Sequence, residues 1–378
     1  MIVKLDDVIE KINGNEDRFN TDLIYYIGGE HYESRRLRIY NKGLLDSEDG
    51  RKLGFKFHFP FKVGDYLFMN RNPHLKKGGV ATFDGICSDA SFVLRSKCPE
   101  ILLQGYLPFV FQSDRFWKFC EENKSGSVNY LVNWKTLQEY RFALPDISEQ
   151  KRCIELLESM EDCRYNYESL ITKTYDLIKS RYYQIVKSAD KNQSVKLDSV
   201  LTQYKKTEKI TDTQNERYIS VALYGKGISK RDIGNDAIKS FSGVRIKEGQ
   251  FVYSRIWVRK GASGLVPPEL HGAVVTNEFP VFDYNPDKIN PVYLLHTVQD
   301  EDFLKQIDSY SLGSTTKQRI KESTFLNLDI VLPSIETQNC FAEFVSHCEE
   351  SVRSLKDSIS NIESMMLSLI NSCNSEEG

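Results

Sequence analysis

The sequence predicts an α+β protein. Two similar mixed α/β domains are held apart by an antiparallel pair of long coiled-coil helices, related by a pseudo-twofold. Three observations predict it. One helix-opening pattern occurs twice, at Leu144-Pro145-Asp146-Ile147-Ser148-Glu149-Gln150 and Leu332-Pro333-Ser334-Ile335-Glu336-Thr337-Gln338, with the two leucines 188 positions apart. Each opening leads into a long amphipathic stretch. The segments ahead of the two openings repeat one another.

In each opening, Pro stops the preceding extended segment, and Asp146 or Ser334 can accept hydrogen bonds from first-turn amides that have no partner within the helix. The second stretch places Phe341, Val345, Cys348, Val352, Leu355, Ile359, Ile362, Met366 and Leu369 at alternating steps of four and three, a heptad seam about four heptads long. The first carries a broader stripe: Leu156, Met160, Cys163, Tyr167 and Leu170, then Ile171, Tyr175, Ile178, Tyr182 and Ile185. Two such helices in one chain bury their stripes most simply against each other. The expected pairing residues are Leu156, Met160, Tyr167, Leu170 and Ile178 against Val345, Val352, Leu355, Ile359, Ile362, Met366 and Leu369.

The repeat extends into the domains. Val3-Lys4-Leu5-Asp6-Asp7-Val8-Ile9 returns as Val195-Lys196-Leu197-Asp198-Ser199-Val200-Leu201, and Gly64-Asp65-Tyr66-Leu67 as Gly249-Gln250-Phe251-Val252. A period this long is domain plus helix, twice, rather than a solenoid. The expected boundaries are a first domain over 1–143, a helix over 144–190, a second domain over 191–331, a helix over 332–373 and a tail over 374–378.

Composition agrees with two ordinary cores: 378 residues, 40% hydrophobic and 12% aromatic. No run approaches the ~18 apolar residues of a membrane span, and the N-terminus lacks a signal-peptide pattern, so a soluble cytoplasmic protein is expected. The eight cysteines form no Cys-x-x-Cys pair and have no histidine at zinc spacing, which favours core thiols in a reducing compartment.

The net charge of −3 conceals a division. Arg35 to Lys77 holds eleven Lys/Arg against four Asp/Glu, and Lys226 to Lys260 holds nine against three. Glu336 to Gly378 carries two against eight. Positive segments in matched places of duplicated domains suit a polyanion.

Along the first domain the pattern predicts a short helix from Leu5 to Ile12, a strand at Leu23–Ile27 and a polar loop from His31 to Lys42 carrying Arg35 and Arg36. A strand at Tyr66–Met69 then leads into a loop with Arg71, Asn72, Lys76 and Lys77. Val80–Phe83 and Phe92–Leu94 read as strands, and Tyr106 to Glu122 as one aromatic-rich helix. The second domain follows a similar order. Its basic loops hold Lys226, Lys230 and Arg231, then Arg255, Arg259 and Lys260, then Lys317, Gln318 and Arg319. Continuing the strand Phe251–Tyr253 would set Arg255, Trp257 and Arg259 on one face. These fifteen residues are the candidate nucleic-acid contacts.

Catalytic constellations are missing from the sequence. It contains no Gly-x-x-x-x-Gly-Lys-Ser/Thr loop and no Gly-x-Gly-x-x-Gly turn. Asn290-Pro291-Val292-Tyr293 departs from an adenine-methyltransferase loop at Val292 and reads better as a helix start. Pro145-Asp146 with Glu149 and Lys151 falls on a helix start, where nuclease carboxylates do not sit. The six histidines have no metal or triad spacing, so no metal and no catalytic residue is expected.

Duplicated variable domains, each ending in Leu-Pro and a long helix with Gln150 or Gln338 in its first turn, resemble the DNA specificity subunit of type I restriction–modification systems. Gly313-Ser314-Thr315-Thr316-Lys317-Gln318-Arg319 ahead of Leu332-Pro333, and the Gly64 and Gly249 strand starts, add to the resemblance, which covers the whole chain. It implies that each variable domain is a target-recognition domain reading half of a bipartite, asymmetric double-stranded DNA site. It further implies that the helices dock two methyltransferase subunits, through which restriction subunits assemble. S-adenosylmethionine would then sit on the methyltransferase, and ATP and Mg on the restriction subunit, with none bound here. Thr337 and Asn339-Cys340, where the first opening has Glu149 and Lys151-Arg152, depart from a perfect repeat. Two other readings stay open: a coiled-coil scaffold that binds no DNA, and a methyltransferase or nuclease with degenerate motifs.

Overall fold

The structure is a computed structural model that describes residues 1–127, 130–189, 193–233, 239–310 and 319–374. It is a mixed α/β chain that divides into two compact units, each assembled from separated stretches or bounded by a helix shared with the other. The first comprises Met1–Leu170 and Ser354–Gly378, and the second Ile171–Arg353. The two long helices, Ile147–Ser188 and Ile335–Ser372, each contribute to both.

In the first unit a five-stranded sheet runs in the order Ile9–Ile12, Ser91–Ser96, Tyr66–Met69, Gly78–Ala81, Arg38–Ile39. A four-stranded sheet runs Gly43–Leu44, Tyr25–Ile27, Gly85–Ser88, Phe57–Phe61, and Ile2–Lys4 pairs with Arg141–Ala143. Because side chains alternate along a strand, Leu67 and Val93 join Ile27, Phe61 and Cys87 in one core. Their neighbours Tyr66, Phe68, Phe92 and Leu94 face a second core with Phe111, Phe116 and Trp117.

The second unit repeats this plan. Leu201–Tyr204, Val281–Tyr284, Phe251–Tyr253 and Ser263–Leu265 form one sheet in that order, and Ser194–Lys196 pairs with Asp329–Val331. The other sheet is five-stranded: Thr207–Ile210, Phe241–Arg245, Val274–Val275, Tyr218–Val221, Ile228–Arg231. The register repeats as well. Leu67 opposes Gly79 and Val252 opposes Gly264, each member 185 positions further along. A parallel pair, Tyr26 with Ile86 in the first unit and Tyr218 with Val274 in the second, sits at the same place in the order, and the first unit adds a second between Arg38–Ile39 and Gly78–Ala81.

The helix openings are built alike. Asp146 Oδ1 accepts from the Glu149 amide at 2.9 Å, and Ser334 Oγ from the Thr337 amide at 3.3 Å. The glutamine of each opening is wholly buried. Gln150 Nε2 donates to the carbonyls of Ile101 (2.8 Å) and Pro145 (2.9 Å), while its Oε1 accepts from the Leu103 amide at 2.9 Å. Gln338 does the same with Lys288 (3.0 Å), Pro333 (2.9 Å) and the Asn290 amide (2.9 Å). Each glutamine therefore ties the first turn of a long helix to a loop of the domain that precedes it.

Within each unit the two helices run in opposite directions. Cys153 and Leu157 pack with Met366 and Ile370 in the first, and Cys153 Sγ lies 3.2 Å from Cys373 Sγ. In the second, Ile178, Tyr182 and Ile185 pack with Phe341, Val345 and Cys348.

The pairing stripe differs from the expected one at two residues. Leu156 and Leu170 are 46% and 47% exposed. The buried row is Cys153, Leu157, Glu161 and Arg164, about a hundred degrees around the helix from Leu156. Met160, Tyr167, Leu355, Ile359, Ile362 and Leu369 are partly buried, whereas Ile178, Val345, Val352 and Met366 are buried. A salt bridge interrupts the apolar row: Arg164 Nε donates to Glu161 Oε2 at 2.9 Å, with both residues almost fully buried.

Three local expectations change too. The Leu5–Ile12 stretch is one helical turn, Leu5–Val8, followed by the strand Ile9–Ile12. Its β-branched residues pair with Val93–Ser96, and this tertiary pairing outweighs local helix preference. Tyr106–Glu122 breaks into Leu107–Phe111 and Asp114–Glu122, because buried Ser113 takes an extended backbone (ψ 146°) and caps the second piece by accepting from Phe116 N at 3.2 Å. The Arg255–Arg259 stretch is not a strand: pairing stops at Tyr253, and Val258–Lys260 is a 3-10 turn. Among the described residues no helix is long and apolar enough to cross a membrane.

Candidate nucleic-acid interface

The hairpin loop after Met69 in the first unit turns through the 3-10 segment Pro73–Leu75 and closes on Lys76 in the left-handed region at φ +49°. A second loop is stitched to it. The Arg35 amide donates to Lys76 O at 2.9 Å, and Ser34 bridges Lys77. Thus Arg35 and Arg36 are brought beside Arg71, Asn72, Lys76 and Lys77.

Not all of these cations stand free. Arg36 lies between Glu33 (2.7 Å), Glu168 on the first long helix (2.6 Å) and Glu363 on the second (3.6 Å). Burial would lower its guanidinium, but the hydrogen bonds and charges of Glu168 and Glu33 hold it above its ordinary value. Arg35 pairs with Asp114, whose carboxyl is held below the usual range chiefly by that hydrogen bond. Lys77 Nζ donates to Gly29 O at 2.8 Å, and Lys76 reaches Asp114 at 3.9 Å. Arg71 makes no ion pair among the described residues, and Asn72 adopts φ +52° with its amide donating to Tyr130 O at 2.8 Å.

The corresponding loop of the second unit runs from Ser254 to Ala262, turns through Val258–Lys260 and closes on Gly261 at φ +70°. The tip Ala222–Gly227, between strands Tyr218–Val221 and Ile228–Arg231, is stitched to it. Tyr224 N donates to Lys260 O at 2.7 Å and Gly225 N to Gly261 O at 3.1 Å. Arg255 is drawn inward by Glu322 and is 19% exposed, so it is less available than a strand-face residue would be. Arg259 is partly buried. Lys260 Nζ stands 5.6 Å from the Trp257 ring, and Arg319 pairs with Glu278 at 3.0 Å while staying mostly exposed. Lys226, Lys230 and Arg231 are exposed on the hairpin and make no side-chain pair among the described residues. Lys317 and Gln318 lie outside the described residues.

The second unit therefore presents Tyr224, Lys226, Trp257 and Lys260 from two stitched loops. Tyr224 is not among the fifteen candidates, and Trp257 enters the sequence reading only as the ring between Arg255 and Arg259. The signal available was an aromatic beside Gly225-Lys226-Gly227, a tight basic turn. Among the described residues no group of three His, Cys, Asp or Glu could hold a metal ion.

No protein-family model matches the chain, and no curated protein matches it in sequence. Solved structures do. The S subunit of a type I restriction–modification system from M. genitalium superposes with a TM-score of 0.54 at 11% identity, over 100% of this chain and 96% of that one. A chain from a study of complex assembly and conformational transition in the type I restriction–modification system gives 0.58 at 15% identity, over 99% and 97%. The chain has the type I specificity-subunit fold. At these identities the likeness belongs to the specificity-subunit architecture, two α/β domains and two long helices, and not to individual loop residues.

Proposed function

We propose that this chain is the non-catalytic DNA-recognition subunit of a type I restriction–modification complex. In this reading residues 1–143 and 191–331 are its target-recognition domains, each reading one half of a bipartite, asymmetric site. The helices over 144–190 and 332–373 dock two methyltransferase subunits, and restriction subunits join through them. The observation that carries the reading is the pair of loops after Met69 and after Tyr253. They share register, a 3-10 turn and a left-handed closing position, Lys76 in one and Gly261 in the other, yet their exposed side chains differ. Equivalent scaffolds with different basic surfaces are what two different half-sites demand.

The test is methylation mapping in cells that carry this chain with its methyltransferase subunit. A two-part motif is expected, and exchanging residues 1–143 for those of a relative with another target should change one half only. Absence of any motif dependent on this chain, or a change in both halves, refutes the reading.

A further inference from the structure

Tyr224 occupies a position that a tyrosine rarely takes. Its φ is +59° and its side chain is 71% exposed. The left-handed region is unfavourable for a bulky residue, and such outliers persist where the surroundings over-determine them.

Here the surroundings are backbone packed on backbone. Tyr224 N and Gly225 N donate to the carbonyls of Lys260 and Gly261. A Cβ on Gly261 would stand 3.3 Å from Gly225 N and 3.5 Å from Tyr224 Cα, and one on Gly264 would stand 3.3 Å from Gly227 Cα. The tip is thereby held rigidly, and the ring is directed to solvent instead of into the core. Lys226 is exposed two positions on, and the loop whose Lys260 carbonyl takes the Tyr224 amide carries exposed Trp257 (43%), with Lys260 Nζ 5.6 Å from its ring.

The first unit shows what the scaffold does without the ring. The bond from Arg35 N to Lys76 O matches that from Gly225 N to Gly261 O, and Arg35 and Gly225 are both left-handed, at φ +56° and +68°. The counterpart of Tyr224 is therefore Ser34. The exposed aromatic tip belongs to one unit alone.

We propose that Tyr224 is a wedge that stacks against an opened base step in the half-site read by the second domain. In this proposal Trp257, on the loop stitched to the tip, supports it, and Lys226 and Lys260 contact the flanking phosphates. This rests on the DNA-recognition reading above. A ring presented rigidly among cations can recover in base stacking what unstacking a step costs. Pyrimidine–purine steps open most readily, so the wedge would favour one of them.

The experiment uses the assembled complex of this chain and its methyltransferase. Cognate duplexes carry 2-aminopurine at successive positions of each half-site. The wild type should raise fluorescence at one step of the second half-site and none of the first. Tyr224→Phe should keep the signal. Tyr224→Gly relaxes the left-handed backbone, so its tip folds at least as well, yet it should abolish the signal and weaken cognate binding on the order of tenfold. Its salt dependence should stay unchanged, because no charge is removed. Specific binding by the wild type with no such signal, or a signal that survives Tyr224→Gly, overturns the wedge and leaves DNA recognition standing. Loss of methyltransferase co-purification in Tyr224→Gly would reassign the ring to a protein contact and also overturn it. Absence of specific binding by the wild type would instead refute the recognition reading on which the wedge depends.

Discussion

Gln150→Ala isolates what the repeated helix opening does. The side chain is 0% exposed and makes three hydrogen bonds, two donated to the carbonyls of Ile101 and Pro145 and one accepted from the Leu103 amide. Alanine removes all three and leaves an amide and two carbonyls short of partners in a buried place. A net hydrogen bond is worth about 1 kcal/mol, and each buried group left unsatisfied costs about 1–3 kcal/mol. The contributions are not additive, because the loop can relax and admit water, so a loss of about 3 kcal/mol is expected.

Urea unfolding gives the total, and hydrogen exchange gives the place. Exchange at Leu103 should accelerate about a hundredfold, since each 1.4 kcal/mol is about tenfold. Asn290, which holds the corresponding position against Gln338, should stay protected. Gln338→Ala should give the converse. Gln150→Glu keeps the acceptor but sets a carboxylate against two carbonyls, and should be at least as damaging. A Gln150→Ala variant that loses less than about 1 kcal/mol, with Leu103 exchange unchanged, would show that the opening is held by something other than this side chain.

Two further outcomes concern the charges. Burial is the largest influence on Glu161 and pushes its carboxyl up to about 7, while Arg38 and Arg36 pull it down. The folded chain then holds a proton that the unfolded chain has released, so the contribution is full below about pH 4.5 and lost as pH rises through about 7. Wild type should lose thermal stability relative to Glu161→Gln across that window, and parallel melting profiles would refute the assignment. Arg36→Ala should destabilise the protein by about 1–2 kcal/mol, given partial solvent screening, and leave unaltered the salt slope of the DNA binding proposed above. A slope lower by ~0.9 would instead make Arg36 a phosphate contact.

The duplication was legible because it rests on short-range signals. Proline, a capping Asp146 or Ser334, and an apolar period are set by neighbours in the chain. The buried Glu161–Arg164 pair was not, since charged residues on a helix ordinarily face water and only the Arg36 loop and the second helix cover them here. The same holds for the basic loops. Composition located them, but which cations remain available depends on carboxylates far along the chain, such as Glu168 and Glu363 for Arg36 and Glu322 for Arg255. Gln150 and Gln338 were visible as part of a motif, and their burial was not. The strained tip at Tyr224 depends on glycines 37 and 40 positions later, at Gly261 and Gly264, beyond the reach of any local pattern.

The first unit takes its last stretch, Ser354–Gly378, from the far end of the chain. Asn374 Nδ2 donates to Phe109 O at 2.7 Å across 265 positions, and Met366 and Ile370 belong to the same core as Leu5 and Phe111. During synthesis this has a consequence for order. The first unit has its apolar face uncovered until residues from Ser354 onward emerge, whereas the second already has both of its helical segments before then. The N-terminal half thus begins folding early and finishes late, and closing so long a loop makes its final step the most non-local event in the chain. A message truncated before codon 354 would damage the start of the protein more than its middle.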